Sequence, residues 1–162
     1  MYIITILSTA VLLFLDQIAK YLAVLHLKGQ AAIPIIKNVF ELQYLENQGA
    51  AFGIMQGKKT FFVIGTLIFL VIVVILYHNI PLTKRFTPIR IVAVLIVAGA
   101  IGNMIDRVVH QYVIDFFYFK LINFPIFNVA DIYVVAGVIL MVLLIVFVLK
   151  DEDLDLKKKK DE

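Results

Sequence analysis

Asp115 and Asp131 are the residues whose type and placement point most directly to chemistry. A short aromatic connection separates them in a chain of 162 residues that is 62% hydrophobic and only 17% charged. Two carboxylates a few ångströms apart do not both ionise readily, so a facing pair shares one proton near neutral pH. The ionised member can take a proton from water while the protonated member polarises an amide carbonyl. That is metal-free peptide hydrolysis by general acid–base catalysis. Asp131 also has a structural reading, with Asn128 as a helix N-cap and Asp131 at the third helical position, favoured by the helix dipole. Asp115, inside Val113-Ile114-Asp115-Phe116-Phe117, has no comparable structural reason to be there.

The other polar residues gather around this pair. Asn103, Asp106 and Arg107 share one helix face at i, i+3 and i+4, with Gly99 four residues before Asn103 and Gly102 beside it. Small residues there admit the close approach of another helix or of a substrate chain. The polar group reads either as a buried packing network or as amides and a guanidinium that hold an extended peptide backbone. Asp16 and Lys20 stand at i, i+4 with the acid first, the better order for a helical ion pair. They lie inside an apolar span, where an ionisable side chain costs roughly 2.5–3.5 kcal/mol on the insertion scale. Their two readings are a structural pair that holds a bundle together and a support beneath the site.

Competing chemistries are few. The chain has no Cys, which excludes disulfides, a thiol nucleophile and Cys-ligated metal. His26, His78 and His110 form no ligand-spaced cluster, and Ser8, the single serine, has no base beside it. We expect no metal, no cofactor and no nucleic-acid partner.

Positioning these residues falls to a membrane architecture. A soluble domain is about 45–50% apolar, well below this chain. Stretches 3–25, 60–77, 89–105 and 132–149 are each long enough to cross a bilayer and lack the alternation of barrel strands. The sequence predicts an all-α polytopic membrane protein with four transmembrane helices and a single membrane domain over 1–162. The first run lacks a basic n-region and continues past Asp16, so it reads as a retained span. Lys84, Arg85 and Arg90 fall on the same side as Lys150 and Lys157–Lys160, which makes that side and both termini cytoplasmic. The charged tail 151–162 reads as a solvated juxtamembrane segment near anionic lipid. Segments 29–59 and 108–128 then lie outside. Val39 to Leu45 alternates in part and predicts a short strand, and the turn chemistry of Asn47 to Gly53 follows it. Tyr44, Phe52, Phe61 and Phe116 to Phe119 read as an interfacial aromatic belt.

The chain resembles the bacterial lipoprotein signal peptidases (signal peptidase II). The resemblance rests on Asp16-Gln17-x-x-Lys20, Asn47-x-Gly49-Ala50-Ala51-Phe52-Gly53, Gly99-x-x-Gly102-Asn103-x-x-Asp106-Arg107, Val113-x-Asp115-Phe116 and Phe127-Asn128-x-Ala130-Asp131, in that order. It implies a membrane aspartyl protease that removes the signal peptide from a diacylglyceryl-modified prolipoprotein, cutting just before the lipidated Cys. Carried over, Asp115 and Asp131 are the catalytic pair. Asn47, Gly49, Asn103, Arg107 and Asn128 bind substrate or line the site, and Asp16, Lys20 and Asp106 support it. The resemblance also implies a small extracytoplasmic β-cradle and a short helix over the site, supplied by 29–59, and a monomer working among membrane lipids. The connection from Asp115 to Asp131 is compact for this family. Two other classes compete: a small transporter or proton-relay subunit, because intramembrane acids mark ion paths, and a non-catalytic lipid-handling scaffold. A relay needs acids at several depths, whereas Asp106, Asp115 and Asp131 cluster at one face.

Overall fold

The structure, a computed structural model, describes residues 2–49 and 57–149. The Ala50 to Gly53 part of the small-residue block, and the Lys157–Lys160 run, lie outside the described residues. Four helices carry the fold: α1 (Tyr2–Leu27), α2 (Lys59–His78), α3 (Thr87–His110) and α4 (Val129–Phe147). All four are long and apolar enough to cross a membrane. The expected spans are therefore present, with α3 continuing five residues past 105 to His110. Helix α2 has no buried residue, and a helix that is apolar all round with no buried face is one whose partner is lipid.

Helix α3 is the hub of the bundle, packing against α1, α2 and α4. Its small residues set the approach. A Cβ on Gly99 would collide with the Ala130 carbonyl oxygen and with Val134 of α4, and one on Gly102 would come within 2.5 Å of an Asp16 carboxylate oxygen. The glycines thus seat α1 and α4 directly against the α3 backbone.

Three antiparallel strands in the order β1-β2-β3 cover one end of the bundle: β1 (Ile33–Ile36), β2 (Phe40–Asn47) and β3 (Val113–Tyr118). The strand expected near 39–45 is β2, extended to Asn47. Strand β3 replaces what reads in the sequence as an aromatic loop. Its residues Val113 to Phe116 are all buried, so the alternation that marks a half-exposed strand is absent. Ile114 and Phe116 pack on Ala23 and Leu27 of α1, which places Phe116 in the core and outside any interfacial belt. The opposite face of β3 carries Asp115. Among the described residues, 29–49 holds β1 and β2 and no short helix. One 3-10 turn (Lys120–Ile122) sits instead between β3 and α4, and another (Lys84–Phe86) precedes α3.

Candidate active site

Asp115 is placed by strand pairing. Asn47 of β2 opposes Val113 of β3, two residues from Asp115, so Asn47 and Asp115 share one face as diagonal neighbours. The Asn47 Nδ2 donates to Asp115 Oδ2 at 2.8 Å, and its Oδ1 accepts the Gly49 N–H at 3.0 Å. After β3 the chain returns so that Phe127 exchanges backbone hydrogen bonds with Phe117 in both directions, at 2.8 and 3.0 Å. That return sets Asn128 beside Asp115, where its Nδ2 donates to Asp115 Oδ1 at 2.6 Å. Asp115 is only 1% exposed. Burial and, next, the charge of Asp131 push its carboxyl up to about 7, against the pull of the Asn47 and Asn128 amides.

Asp131 is placed by the start of α4. Asn128 is the N-cap: its Oδ1 accepts the Asp131 N–H at 3.1 Å while Asp131 Oδ2 accepts the Asn128 N–H at 3.0 Å. This capping box satisfies orphan donors of the first turn and puts the carboxylate at the positive end of the helix dipole. Asn103 of α3 completes the hold, donating through Nδ2 to Asp131 Oδ1 at 2.8 Å. The same residue links the two acids, because its Oδ1 accepts Asn128 Nδ2 at 3.1 Å and Lys20 Nζ at 2.9 Å.

Beneath them lies a charged layer. Lys20 Nζ stands 3.0 Å from Asp16 and 2.9 Å from Asp106, with all three side chains at most 2% exposed. Each acid also binds the backbone of a neighbouring element: Asp16 accepts the Ala130 N–H of α4 at 2.8 Å, and Asp106 accepts the Ile114 N–H of β3 at 3.1 Å. Gln17, part of a motif but given no role in the sequence reading, bridges Asp16 and Asp106 at 3.1 and 3.2 Å. Its value could not be read from spacing, since Asp106 lies 89 positions away.

A cavity of about 680 Å³ opens onto this assembly and is lined by Asn47, Asn103, Arg107, Asp115 and Asp131 at its polar end. Its apolar length runs between Thr66 of α2 and Val135 and Ile139 of α4. Both of these α4 side chains are more than half exposed, so the trough faces lipid. Arg107 donates to the Gly49 carbonyl at 3.1 Å, and its guanidinium lies 4.7 Å from the centre of the Phe62 ring. Phe62, which sequence reasoning passed over, reaches the site only through this contact with Arg107 and is not part of the cavity lining. Phe124 and Phe127, with ring centres 5.8 Å apart, also line the cavity. The structure therefore brings Asn47, Asn103, Arg107 and both candidate acids to one cavity wall, with Asn128 fully buried behind it and bonded to both acids. Gly49 is tied to it through Asn47 and Arg107, and Asp16, Lys20 and Asp106 lie directly behind. No group of His, Asp and Glu side chains suited to holding a metal ion occurs among the described residues.

Fold and site together define a polytopic membrane protein with a polar, acid-lined site at one end of a lipid-facing trough. Residues 8–147 match the family model of signal peptidase (SPase) II. The chain is 43% identical over 143 residues to the lipoprotein signal peptidase of Caldanaerobacter subterraneus subsp. tengcongensis, covering 88% of this chain and 95% of the relative. It is 42% identical over 153 residues to that of Clostridium acetobutylicum, covering 93% and 97%. A bacterial membrane enzyme solved by the in meso method at 2.3 Å resolution superposes with a TM-score of 0.78 at 32% identity, covering 96% of this chain and 92% of that one. The chain belongs to the signal peptidase II family, a family of membrane proteases.

Proposed function

We propose that the protein is an aspartic endopeptidase that removes the signal peptide from diacylglyceryl-modified prolipoproteins, cutting before the lipidated Cys. The observation that carries this reading is the convergence of Asp115 and Asp131 on one lipid-facing cavity, each held by two Asn residues, with Asn128 common to both. The apolar trough between α2 and α4 suits a signal helix arriving sideways from the bilayer, with the scissile bond at the polar end. Arg107, Asn47 and Gly49 are placed to hold its extended backbone.

The two environments divide the labour. Asp115, pushed up to about 7, holds the proton and donates it to the scissile carbonyl oxygen. Asp131, at the α4 N-terminus with amide donors on both oxygens, is the carboxylate that takes a proton from the attacking water. The water oxygen bonds to the carbonyl carbon. When the tetrahedral intermediate collapses, Asp131 returns a proton to the departing Cys amine and Asp115 regains its own. Chemistry needs no group beyond these side chains. The whole chain, 1–162, acts as a single membrane domain and as a monomer among membrane lipids. Both termini are cytoplasmic, and the site is at the extracytoplasmic face.

The test is to give the purified protein a lipidated prolipoprotein and the same precursor without its diacylglyceryl group, and to weigh the products by mass spectrometry. A single cut before the lipid-modified Cys, at least ~10-fold slower on the unlipidated precursor, is expected. Equal cleavage of both, or a cut elsewhere, contradicts the assignment of substrate.

A further inference from the structure

A second cavity, of about 310 Å³, lies at the end of the bundle away from Asp115 and Asp131, between the first turns of α1 and of α3. Ile4, Leu12 and Leu95 give it apolar walls, while Ser8, Thr87 and Arg90 supply polar groups. Arg90 is 5% exposed. Its terminal nitrogens donate to the backbone carbonyls of Ile80 at 3.2 Å, Thr83 at 3.4 Å and Pro81. Its Nε is buried and, among the described residues, is the single buried side-chain nitrogen or oxygen without a hydrogen-bond partner. The sequence around Arg90 is short of acids, with no Asp or Glu between Glu46 and Asp106.

Depth narrows the ligand. Arg90 is three residues into α3, or about 4.5 Å, whereas Leu12 and Leu95 lie roughly 12–15 Å along their helices at 1.5 Å per residue. The rings of Tyr2 and Tyr77, 5.8 Å apart, mark the same end as interfacial. A cationic group at headgroup depth, above hydroxyls and an aliphatic trough that continues inward, matches a phosphate joined to acyl chains.

We propose that this trough holds one anionic phospholipid. Its phosphate takes the Arg90 Nε–H and the Thr87 hydroxyl, Ser8 meets the glycerol ester, and an acyl chain runs along Leu12 and Leu95. Delipidated protein in detergent would be titrated with dioleoyl phosphatidylglycerol, with phosphate-free dioleoylglycerol and with inorganic phosphate, and occupancy read by native mass spectrometry. Two variants localise the site: Ser8→Leu fills the trough, and Arg90→Lys keeps the charge but removes the Nε–H. The parent is expected to bind one phosphatidylglycerol that both variants bind at least 10-fold more weakly. Dioleoylglycerol should be at least 10-fold weaker in the parent, and millimolar phosphate should not compete. Parent-like phosphatidylglycerol occupancy in Ser8→Leu, equal binding of dioleoylglycerol, or displacement by phosphate alone would each overturn the proposal.

Discussion

Asn128 serves the helix and the acid at once, and its two roles can be separated by substitution. Its Oδ1 caps α4 while its Nδ2 reaches Asp115. Asn128→Ser keeps an N-cap oxygen but removes the amide donor, so the thermal midpoint should stay near the parent while turnover falls about 10-fold or more. Asn128→Ala should lose both, with roughly 0.5–2 kcal/mol of stability gone through the cap. A Ser variant with parental turnover would show that the contact to Asp115 is idle. Asp115 itself gives a pH signature. Its folded value of about 7 stands above the ordinary 3.8, so its contribution to stability is fully present below about 3.8 and is lost as pH rises through about 7. The thermal midpoint of the parent, measured against Asp115→Asn, should therefore decline between about pH 4 and 7 and level off above that. Parallel curves would contradict a raised Asp115. Both acids and the capping geometry of Asn128 were legible in the sequence. The second bond of Asn128 was not, because it depends on Phe127 pairing with Phe117, a contact no local pattern encodes.

At the scale of elements, the buried Asp16–Lys20–Asp106 layer ties the helices to the parts that bear the acids. Asp16 holds the first turn of α4 at Ala130 and Asp106 holds β3 at Ile114, so each candidate catalytic residue is anchored one position away. Lys20→Met leaves two buried carboxylates facing each other without a cation. Loss of one member of a buried ionic group costs about 3–5 kcal/mol, which should appear as a sharp drop in thermal midpoint and yield. Adding Asp16→Asn and Asp106→Asn to that variant should recover most of the loss, since the uncompensated charge is gone and an amide oxygen still accepts each backbone N–H. No recovery would mean that packing, not charge, is what Lys20 supplies. The i, i+4 pair of Asp16 and Lys20 was visible by spacing. Asp106 as its third member and Gln17 as its bridge were hidden by distance along the chain. Strand β3 was hidden for a different reason: with α1 on one side and the site on the other it has no exposed face, and so no alternation to read.

For the whole molecule, the four spans follow from length and composition, and the basic residues are the basis of the orientation proposed for them. The absence of Cys makes the orientation directly measurable. A single cysteine from Ile36→Cys in β1 should react with an impermeant maleimide on intact cells, and one from Thr83→Cys should react only after the membrane is opened. The reverse pattern would place the site on the cytoplasmic side. In the proposed orientation the trough lies beside the extracytoplasmic face, where a lipid-anchored precursor would meet the acids without leaving the bilayer. The central claim remains that Asp115 and Asp131 work as one pair. The most direct measurement is single-turnover cleavage of a lipidated prolipoprotein by Asp115→Asn and Asp131→Asn beside the parent, with folding checked by thermal midpoint. Both variants should fall by at least 10²–10⁴-fold, the range expected for general acid–base groups. Near-parental cleavage by either one would contradict the pair, and in the case of Asp131 would leave that residue a helix cap alone.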